Sequence, residues 1–298
     1  MLFKNLPGPL QGTISLLMLA LNTALWCTPL FTATFLKLAV PLNAWRRFWG
    51  RVLNRIATGW VWFNNLGIRL TKSVRWEVRG LTGLDPKGWY LVIANHQSWL
   101  DIVVLQKIFH GRIPFLKFFL KKELIWVPLL GQAWWALDFP FMKRYSRAYL
   151  EKHPERRGRD LETTRRACDK FKHIPVTVMN FVEGTRFTLK KARRQGSPYA
   201  HLLKPKAAGV AYILGALGDN LSSILNVTIA YPGPVGSLWD FMCGRIREIK
   251  VRVEAIPITP DLIGDYARDL DFQRRFQHWL NQVWAGKAQL IQTLAARS

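Results

Sequence analysis

A run of 26 residues without a charged side chain, from Gln11 to Leu36, constrains the fold more than any other stretch. Its length is sufficient for one tilted helix to cross a bilayer. Pro29 divides the run, so a kinked helix and a shallow re-entrant hairpin are alternatives. A cleaved signal peptide fits poorly, because Lys4 is the single early cation and no small-x-small cleavage site follows. The run therefore predicts permanent membrane attachment.

The next segment, Leu38 to Leu70, mixes cations with large aromatic side chains. Basic residues just after an apolar segment indicate the cytoplasmic side, and aromatic rings favour the headgroup region. The cations are Arg46, Arg47, Arg51, Arg55 and Arg69, and the rings include Trp45, Phe48, Trp49, Trp60, Trp62 and Phe63. We expect residues 1–70 to form a membrane-anchoring segment and residues 71–298 to form the globular part.

The net charge implies an anionic partner. Lys and Arg number 43 and Asp and Glu 19, a difference of +24. Nucleic acid, an anionic membrane surface and a phosphorylated substrate all satisfy such a charge. The 14 Trp residues favour the membrane. The three widely spaced cysteines form no metal-ligand pair and indicate a reducing compartment.

From Val74 onward the hydrophobic pattern is that of a globular α/β chain. Helices are predicted after Ser98, over Arg156–Lys172, from Leu203 to Leu214, and in the tail, where Phe272, Phe276, Leu280 and Trp284 lie at helical spacing. Strands are predicted at Val74–Arg79, Trp89–Ala94, Pro175–Glu183, Ser223–Tyr231 and Arg247–Ala255. Phe187 to His201 reads as a polar loop.

His96 and Asp101 stand directly after the apolar strand that ends at Ala94. A carboxylate in the first turn of the next helix can bond the imidazole, fix its tautomer and stabilise its protonated form. The pair then describes a general base for a hydroxyl group. Taken alone, a histidine with a structural partner at a strand end explains the pattern slightly better than a catalytic base does.

A second polar turn, Glu183-Gly184-Thr185-Arg186, follows another predicted strand. Open α/β sheets place ligands at the carboxyl ends of strands. Gly184 permits close backbone approach, and the fork of Arg186 matches phosphate oxygens. Lys121 and Lys122 lie in an apolar stretch where burial would be costly without an anion, although both can instead reach water. Arg144 is a weaker candidate of the same kind.

In order, these motifs resemble the lysophosphatidic acid acyltransferase family, a group of glycerolipid O-acyltransferases. Its Asn-His-x4-Asp signature corresponds to Asn95–Asp101, and its Glu-Gly-Thr-Arg signature to Glu183–Arg186. Further blocks resemble Lys121–Gly131 and Leu203–Gly209, so the likeness covers roughly Val74 to Pro234. The departure is Phe181-Val182 before Glu183, where many members have Phe-Pro. Together with the run from Asp138 to Arg144, this form resembles a distinct bacterial subgroup, for which the exact lysolipid is less secure than the reaction.

The resemblance implies an α/β fold: one globular domain with a mixed, largely parallel sheet flanked by helices, preceded by N-terminal membrane-embedded helices. It also implies acyl transfer from acyl carrier protein or coenzyme A to the sn-2 hydroxyl of lysophosphatidic acid, giving phosphatidic acid. His96 and Asp101 would be catalytic, while Arg186, Lys121, Glu183, Gly184 and Thr185 would form the phosphate-binding part. Glu183 would orient the arginine or a substrate hydroxyl. No cofactor, metal or covalent nucleophile is required.

We also expect backbone N–H groups near the helix start after His96 to bind the developing oxyanion. The partners implied are a lysophospholipid, the thioester carrier and anionic membrane lipids. The location implied is the cytoplasmic face of a bacterial inner membrane.

Three other readings remain open at this point. A remodelling acyltransferase for another lysophospholipid would carry the same motifs. A non-catalytic membrane scaffold would share the fold, although the retained His96, Asp101, Glu183 and Arg186 argue against it. A nucleic-acid-binding protein would explain the charge, but it leaves the uncharged run unexplained and no nucleic-acid motif is recognisable.

Overall fold

The computed structural model describes residues 6–142, 168, 174–233 and 235–296. Arg144 and the basic segment predicted as a helix over Arg156–Lys172 lie outside the described residues, apart from Cys168. The helices are α1 (Gly8–Ala39), α2 (Asn43–Thr71), α3 (Leu100–Phe109), α4 (Leu130–Ala136), α5 (Leu189–Gln195), α6 (Ala207–Leu217), α7 (Leu238–Met242) and α8 (Leu270–Ala296). The strands are β1 (Arg75–Arg79), β2 (Tyr90–Ala94), β3 (Leu116–Phe118), β4 (Leu120–Lys121), β5 (Phe141–Met142), β6 (Thr177–Phe181), β7 (Ser223–Ala230) and β8 (Glu248–Ile256).

Six of these strands form the main sheet, in the order β1-β8-β7-β2-β6-β3. β7, β2, β6 and β3 run parallel, β8 is antiparallel to β7, and β1 is parallel to β8. The predicted mixed, largely parallel sheet flanked by helices is confirmed. All five residues of β2 are buried because strands lie on both sides of it and helices cover both faces.

The two faces of the sheet carry different helices. One face packs against α3, α4 and the middle of the N-terminal helices, through side chains such as Leu105, Leu30 and Leu53. The other face packs against α6 and α8, through Val210, Phe276 and Trp284 among others. The apolar stripe in the tail therefore marks a helix docked on the core, as its spacing predicts.

The N-terminal helices form an antiparallel hairpin. Asn22 on α1 donates from its side-chain amide to the Trp60 carbonyl (3.0 Å) and to Asn64 (2.8 Å), both on α2. α1 continues through Pro29 as one helix of 32 residues, so a re-entrant turn within the uncharged run is not observed. By length and composition α1 is sufficient to cross a membrane.

Near the carboxyl end of β3, the pair β4–β5 and helix α4 form a small structure that the sequence pattern does not predict. The segment predicted as a polar loop over Phe187–His201 contains the helix α5. Thr188 begins α5 by accepting a hydrogen bond from the Lys191 N–H, and Gly196 ends it in the left-handed conformation.

Candidate active site

The parallel strands β2 and β6 are hydrogen-bonded neighbours, and each ends at one of the two predicted motifs. Ala94 lies beside Phe181 in the register, so His96 and Glu183 follow at the same edge of the sheet. The main chain joins the two turns, because the Phe187 N–H donates to the His96 carbonyl (2.7 Å). The strand order therefore brings together motifs almost ninety residues apart.

His96 and Asp101 are in direct contact. Nδ1 of His96 lies 2.9 Å from Oδ2 of Asp101, whose side chain is fully buried. The same oxygen accepts the N–H groups of Gln97 (2.6 Å) and Ser98 (2.9 Å). An ionised carboxylate only accepts hydrogen bonds, so Nδ1 carries the proton and Nε2 carries the free electron pair. The arrangement is that of an oriented general base.

Two further residues fix this pair, and sequence reasoning gave neither of them a role. The Tyr231 hydroxyl donates to Oδ1 of Asp101 (2.6 Å), and burial together with Asp101 raises the pKa of Tyr231 well above its usual value. Asn95 exchanges two hydrogen bonds of 2.9 Å with the backbone of Ile229. The available signal was the position of Tyr231 at the carboxyl end of a predicted strand, just before Pro232.

The imidazole is also held by stacking. The ring of Phe181, the last residue of β6, lies 3.8 Å from the His96 ring, with 13° between the planes. Stacking restricts rotation of the imidazole, whose side chain remains 13% exposed. Nε2 is therefore oriented without being sealed from a substrate.

Glu183 has a different role from the one expected. Its side chain is fully buried; Oε1 accepts the His96 N–H (3.0 Å) and Oε2 accepts the Leu203 N–H (2.8 Å). Both oxygens are therefore occupied by backbone donors and do not orient Arg186 or face a substrate hydroxyl. Burial raises the pKa of Glu183 to about 7, and these two hydrogen bonds oppose that shift.

The remainder of the Glu-Gly-Thr-Arg turn points outward. Gly184 has φ of +70°, a left-handed conformation that glycine adopts without steric cost, and its N–H donates to the Phe181 carbonyl (2.8 Å). Thr185 accepts a hydrogen bond from Lys191 Nζ (2.8 Å). Arg186 is exposed and lies 5.1 Å from the centroid of the Trp99 ring, a cation–π contact beside His96. The guanidinium is therefore available to an anion.

Lys121 and Lys122 are both exposed, so the argument that their burial would require an anion does not apply. Lys121 ends β4, three residues after β3, which is parallel to β6. It consequently lies beyond the same carboxyl edge as His96 and Arg186. In the part of the chain that the structure describes, Lys121 and Arg186 do not contact each other.

The first N–H groups after His96, where an oxyanion site was expected, already have acceptors within the protein. Gln97 and Ser98 both donate to Asp101, and the Leu100 N–H donates to Ser98 Oγ (3.3 Å). Ser98 thus lies near the start of α3, although the helix begins one residue later than predicted, with Trp99 as N-cap. These donors serve the carboxylate and the turn rather than a substrate oxygen.

A buried carboxylate–imidazole pair at the edge of a parallel sheet, beside an exposed arginine, defines a site for proton transfer near an anionic group. Comparison with known proteins assigns the family. Residues 75–220 match the family model described as Acyltransferase, so this part of the chain belongs to the acyltransferase family. The matched segment contains His96, Asp101, Lys121 and the whole Glu183–Arg186 turn.

Among curated relatives, an uncharacterized acyltransferase of Schizosaccharomyces pombe is 26% identical over 253 residues, covering 73% of this chain and 65% of the relative. Human 1-acyl-sn-glycerol-3-phosphate acyltransferase gamma is 27% identical over 209 residues, covering 66% of this chain and 51% of that protein. This chain therefore spans between about half and two thirds of these relatives. The crystal structure of the 1-acyl-sn-glycerophosphate acyltransferase PlsC from Thermotoga maritima aligns with 96% of this chain and 99% of that one, at 17% identity and a TM-score of 0.49.

Proposed function

We propose that this protein transfers a fatty acyl chain from a thioester to a hydroxyl group of a lysophospholipid. The observation that carries the proposal is the His96–Asp101 pair, in which Nδ1 is held 2.9 Å from the buried carboxylate and the imidazole side chain remains 13% exposed. The acyltransferase-family assignment of the surrounding segment supports the same chemistry.

The reaction requires one proton transfer in each direction. Nε2 of His96 accepts the proton of the lysolipid hydroxyl as its oxygen attacks the thioester carbonyl carbon. The tetrahedral intermediate then expels the thiolate, the C–S bond breaks, and the imidazolium returns the proton to sulfur. Asp101 stabilises the imidazolium throughout, and positioned base catalysis of this kind contributes about 100- to 10,000-fold.

The acceptor is held by its phosphate in this proposal. Arg186 offers a planar fork for phosphate oxygens beside the catalytic imidazole, and Lys121 adds a second cation at the same edge of the sheet. The acceptor proposed is lysophosphatidic acid, acylated at the sn-2 hydroxyl to give phosphatidic acid. The donor proposed is an acyl carrier protein or coenzyme A thioester, whose negative charge complements a +24 chain.

Membrane attachment follows from the hairpin. Near its beginning α1 packs against Trp239 and Cys243, and near its end Lys37 pairs with Asp138 at 2.6 Å. The two contacts involve Gly12 and Lys37, which are 25 residues apart on α1. At 1.5 Å per residue they are separated by roughly 38 Å along the helix. Because both ends of α1 contact the globular part, we propose that its exposed side enters one leaflet without crossing the bilayer. A cytoplasmic face of a bacterial inner membrane is the proposed location.

The test is acyl transfer by the purified full chain in detergent, with His96→Ala beside the wild type. A panel of lysophospholipids is offered with acyl carrier protein and coenzyme A thioesters. We expect diacyl product from the wild type, preferentially from lysophosphatidic acid, and a loss of at least about 100-fold in the variant. Preference for another head group would replace the acceptor and retain the reaction. A folded wild type that acylates none of the panel would support a scaffold instead.

A further inference from the structure

The C-terminal helix α8 brings two polar side chains to the buried underside of the site. Trp284 and Lys287 lie one turn apart, with 0% and 2% of their surfaces exposed. Both lie beyond residue 220, where the family-model match ends. A buried lysine is costly unless its charge or its hydrogen bonds have partners, so its surroundings indicate what it serves.

Trp284 is connected to the catalytic histidine by a continuous series of hydrogen bonds. Its indole N–H donates to the Leu203 carbonyl (3.1 Å), and the Leu203 N–H donates to Oε2 of Glu183 (2.8 Å). Oε1 of the same carboxyl group accepts the His96 N–H (3.0 Å). α8 thus holds the loop that holds Glu183, and Glu183 holds the backbone of His96.

Lys287 contacts the strand on the other side of the pair. Its ammonium group donates to the carbonyl of Val227 and to the hydroxyl of Thr228 (3.3 Å), both on β7. The same strand fixes Asn95 through Ile229. Tyr231, the first residue after the strand, donates a hydrogen bond to Asp101. Two series of contacts therefore lead from α8 to His96 and Asp101.

The charges of Glu183 and Lys287 are coupled through this buried region. Burial raises the pKa of Glu183 to about 7, with Asp101 adding to the rise and Lys287 opposing it. Burial likewise lowers the pKa of Lys287 to about 7, and the carboxylates of Glu183 and Glu254 oppose that shift. His96 contacts Glu183 through its backbone N–H, and Lys206 lies over Gly184 on the outer side of the turn.

Only the ionised form of Glu183 can accept both N–H groups. Protonation would put an O–H on one oxygen, which would then face a backbone donor and lose its acceptor function in that direction. A positive charge nearby favours the ionised form.

We infer that Lys287 is a positioning residue for the catalytic pair, because its hydrogen bonds to Val227 and Thr228 hold β7 in the place from which Asn95 and Asp101 are fixed. Its ammonium group also favours the ionised form of Glu183, which accepts the His96 and Leu203 N–H groups. Trp284 supports the same arrangement through Leu203. The inference rests on the proposed function for its activity readout, since Lys287 itself lies beneath the site and away from any substrate.

The principal experiment compares Lys287→Met with Lys250→Met in the full chain. Lys250 is a matched control because it is also buried, at 3% exposed, and its ammonium group donates to the Leu294 carbonyl of the same helix (2.9 Å). It is not among the groups that shift the pKa of Glu183. Each variant removes one buried ammonium group at α8, and only Lys287→Met removes the one coupled to Glu183.

Acyl transfer is measured against pH, with kcat and kcat/KM resolved. The difference between the variant and wild-type profiles isolates the effect of removing the Lys287 ammonium group. We expect the acid limb of Lys287→Met to move up by about 1 pH unit, the size of shift that a nearby charge produces, while Lys250→Met follows the wild type. A folded Lys287→Met protein whose acid limb coincides with that of the wild type would overturn the inference.

Two further variants separate charge from packing. Lys287→Gln can still donate a hydrogen bond and carries no charge, so it is expected to show the same shift and replaces Lys287→Met if that protein does not fold. Trp284→Phe removes the N–H donor and keeps an aromatic ring. It is expected to lower the plateau kcat about 3- to 10-fold, as the loss of one hydrogen bond implies, and to leave the acid limb in place. A shifted limb in Trp284→Phe would mean that packing, and not the charge of Lys287, sets the profile.

Urea unfolding between pH 6 and pH 9 tests, without activity, whether the Lys287 ammonium group is buried in the folded protein as its hydrogen bonds to β7 require. The folded wild type loses the Lys287 proton at lower pH than the unfolded chain does, so its stability rises with pH above about 7. We expect that rise to be absent in Lys287→Met and present in Lys250→Met. Parallel stability curves for the wild type and Lys287→Met would overturn the inference even in a protein without acyltransferase activity, whereas an inactive wild type would overturn only the proposed function.

Discussion

The N-terminal hairpin and the C-terminal helix α8 both lie outside the acyltransferase-family segment, and both pack against the same sheet domain. They differ in what they present to the surroundings. Leu21 and Phe35 on α1 are 70% and 73% exposed, whereas Leu280 and Trp284 on α8 are fully buried. Apart from Leu270 at its first position, α8 exposes no large apolar side chain among the residues that the structure describes.

The difference follows from the width of the apolar surface on each helix. α8 carries its apolar residues on one stripe, which the domain covers completely. α1 is apolar around its whole circumference, and the domain covers only one side of it, at residues such as Leu30 and Ala33. An uncovered apolar side requires another apolar phase. The first helix is therefore suited to lipid and the last to support of the site.

The largest effect that this comparison predicts is on folding. Trp284→Ala removes a fully buried indole and its hydrogen bond, so we expect the free energy of unfolding to fall by about 3–5 kcal/mol. Leu21→Ala on the exposed side of α1 is expected to change it by less than about 0.5 kcal/mol in detergent. Urea unfolding followed by circular dichroism measures both, and equal losses would contradict the distinction between the two helices.

The second prediction concerns the buried carboxyl group of Glu183. Folded Glu183 has a pKa of about 7, above its ordinary value of 4.5, so the folded state binds a proton that the unfolded state has released between these values. Stability contributed by Glu183 is therefore complete below pH 4.5 and decreases as pH rises toward 7, by up to about 1.4 kcal/mol per pH unit. In Glu183→Gln this decrease should be absent, which unfolding curves from pH 4.5 to pH 7.5 would detect. Glu248→Gln, at the first position of β8, serves as the control and should retain the wild-type slope.

The third prediction tests the exposed apolar side of the hairpin. Leu21 and Leu25 are 70% and 66% exposed on α1. Changing both to Gln should weaken partitioning into anionic vesicles by about 10- to 100-fold, since each loses roughly 1 kcal/mol of apolar burial in lipid. Cosedimentation with vesicles measures the change. The matched control is Leu270→Gln, which places the same substitution on an equally exposed position of α8, and equal weakening there would indicate nonspecific adsorption.

Local patterns in the sequence were sufficient to predict five of the six strands of the main sheet, the docked tail and the two polar motifs of the site; the short edge strand β3 was not predicted. The apolar run before Asn95 and the His96–Asp101 spacing each depend on residues within a few positions of one another. Placement of His96 beside Phe181 depends on the register of β2 with β6, which no local pattern of the sequence contains.

The remaining features depend on contacts that a local pattern does not contain. Glu183 was expected to face the substrate because its turn is polar, but folding directs it inward to the backbone of His96 and Leu203. Tyr231 reaches the site from the end of β7, 130 residues beyond Asp101 in the sequence, and Lys287 reaches it from α8. The exposure of Lys121 shows the opposite error, since an apolar stretch of sequence need not be buried.

The smallest predicted effect concerns the end of the hairpin. The ion pair of Lys37 with Asp138 joins the last turn of α1 to the segment just after α4. The two side chains are 15% and 38% exposed. A partly exposed pair contributes up to about 1 kcal/mol, so Lys37→Met should lower stability by roughly that amount or less. Its effect on membrane binding is more informative, because methionine keeps the apolar length while removing the contact. If α1 lies along the domain, Lys37→Met should leave vesicle binding nearly unchanged and increase the protease sensitivity of the α1–α2 connection in detergent. If α1 instead separates from the domain to cross the bilayer, the pair is already broken in vesicles, and the substitution will change protease sensitivity in detergent but not in the vesicle-bound protein.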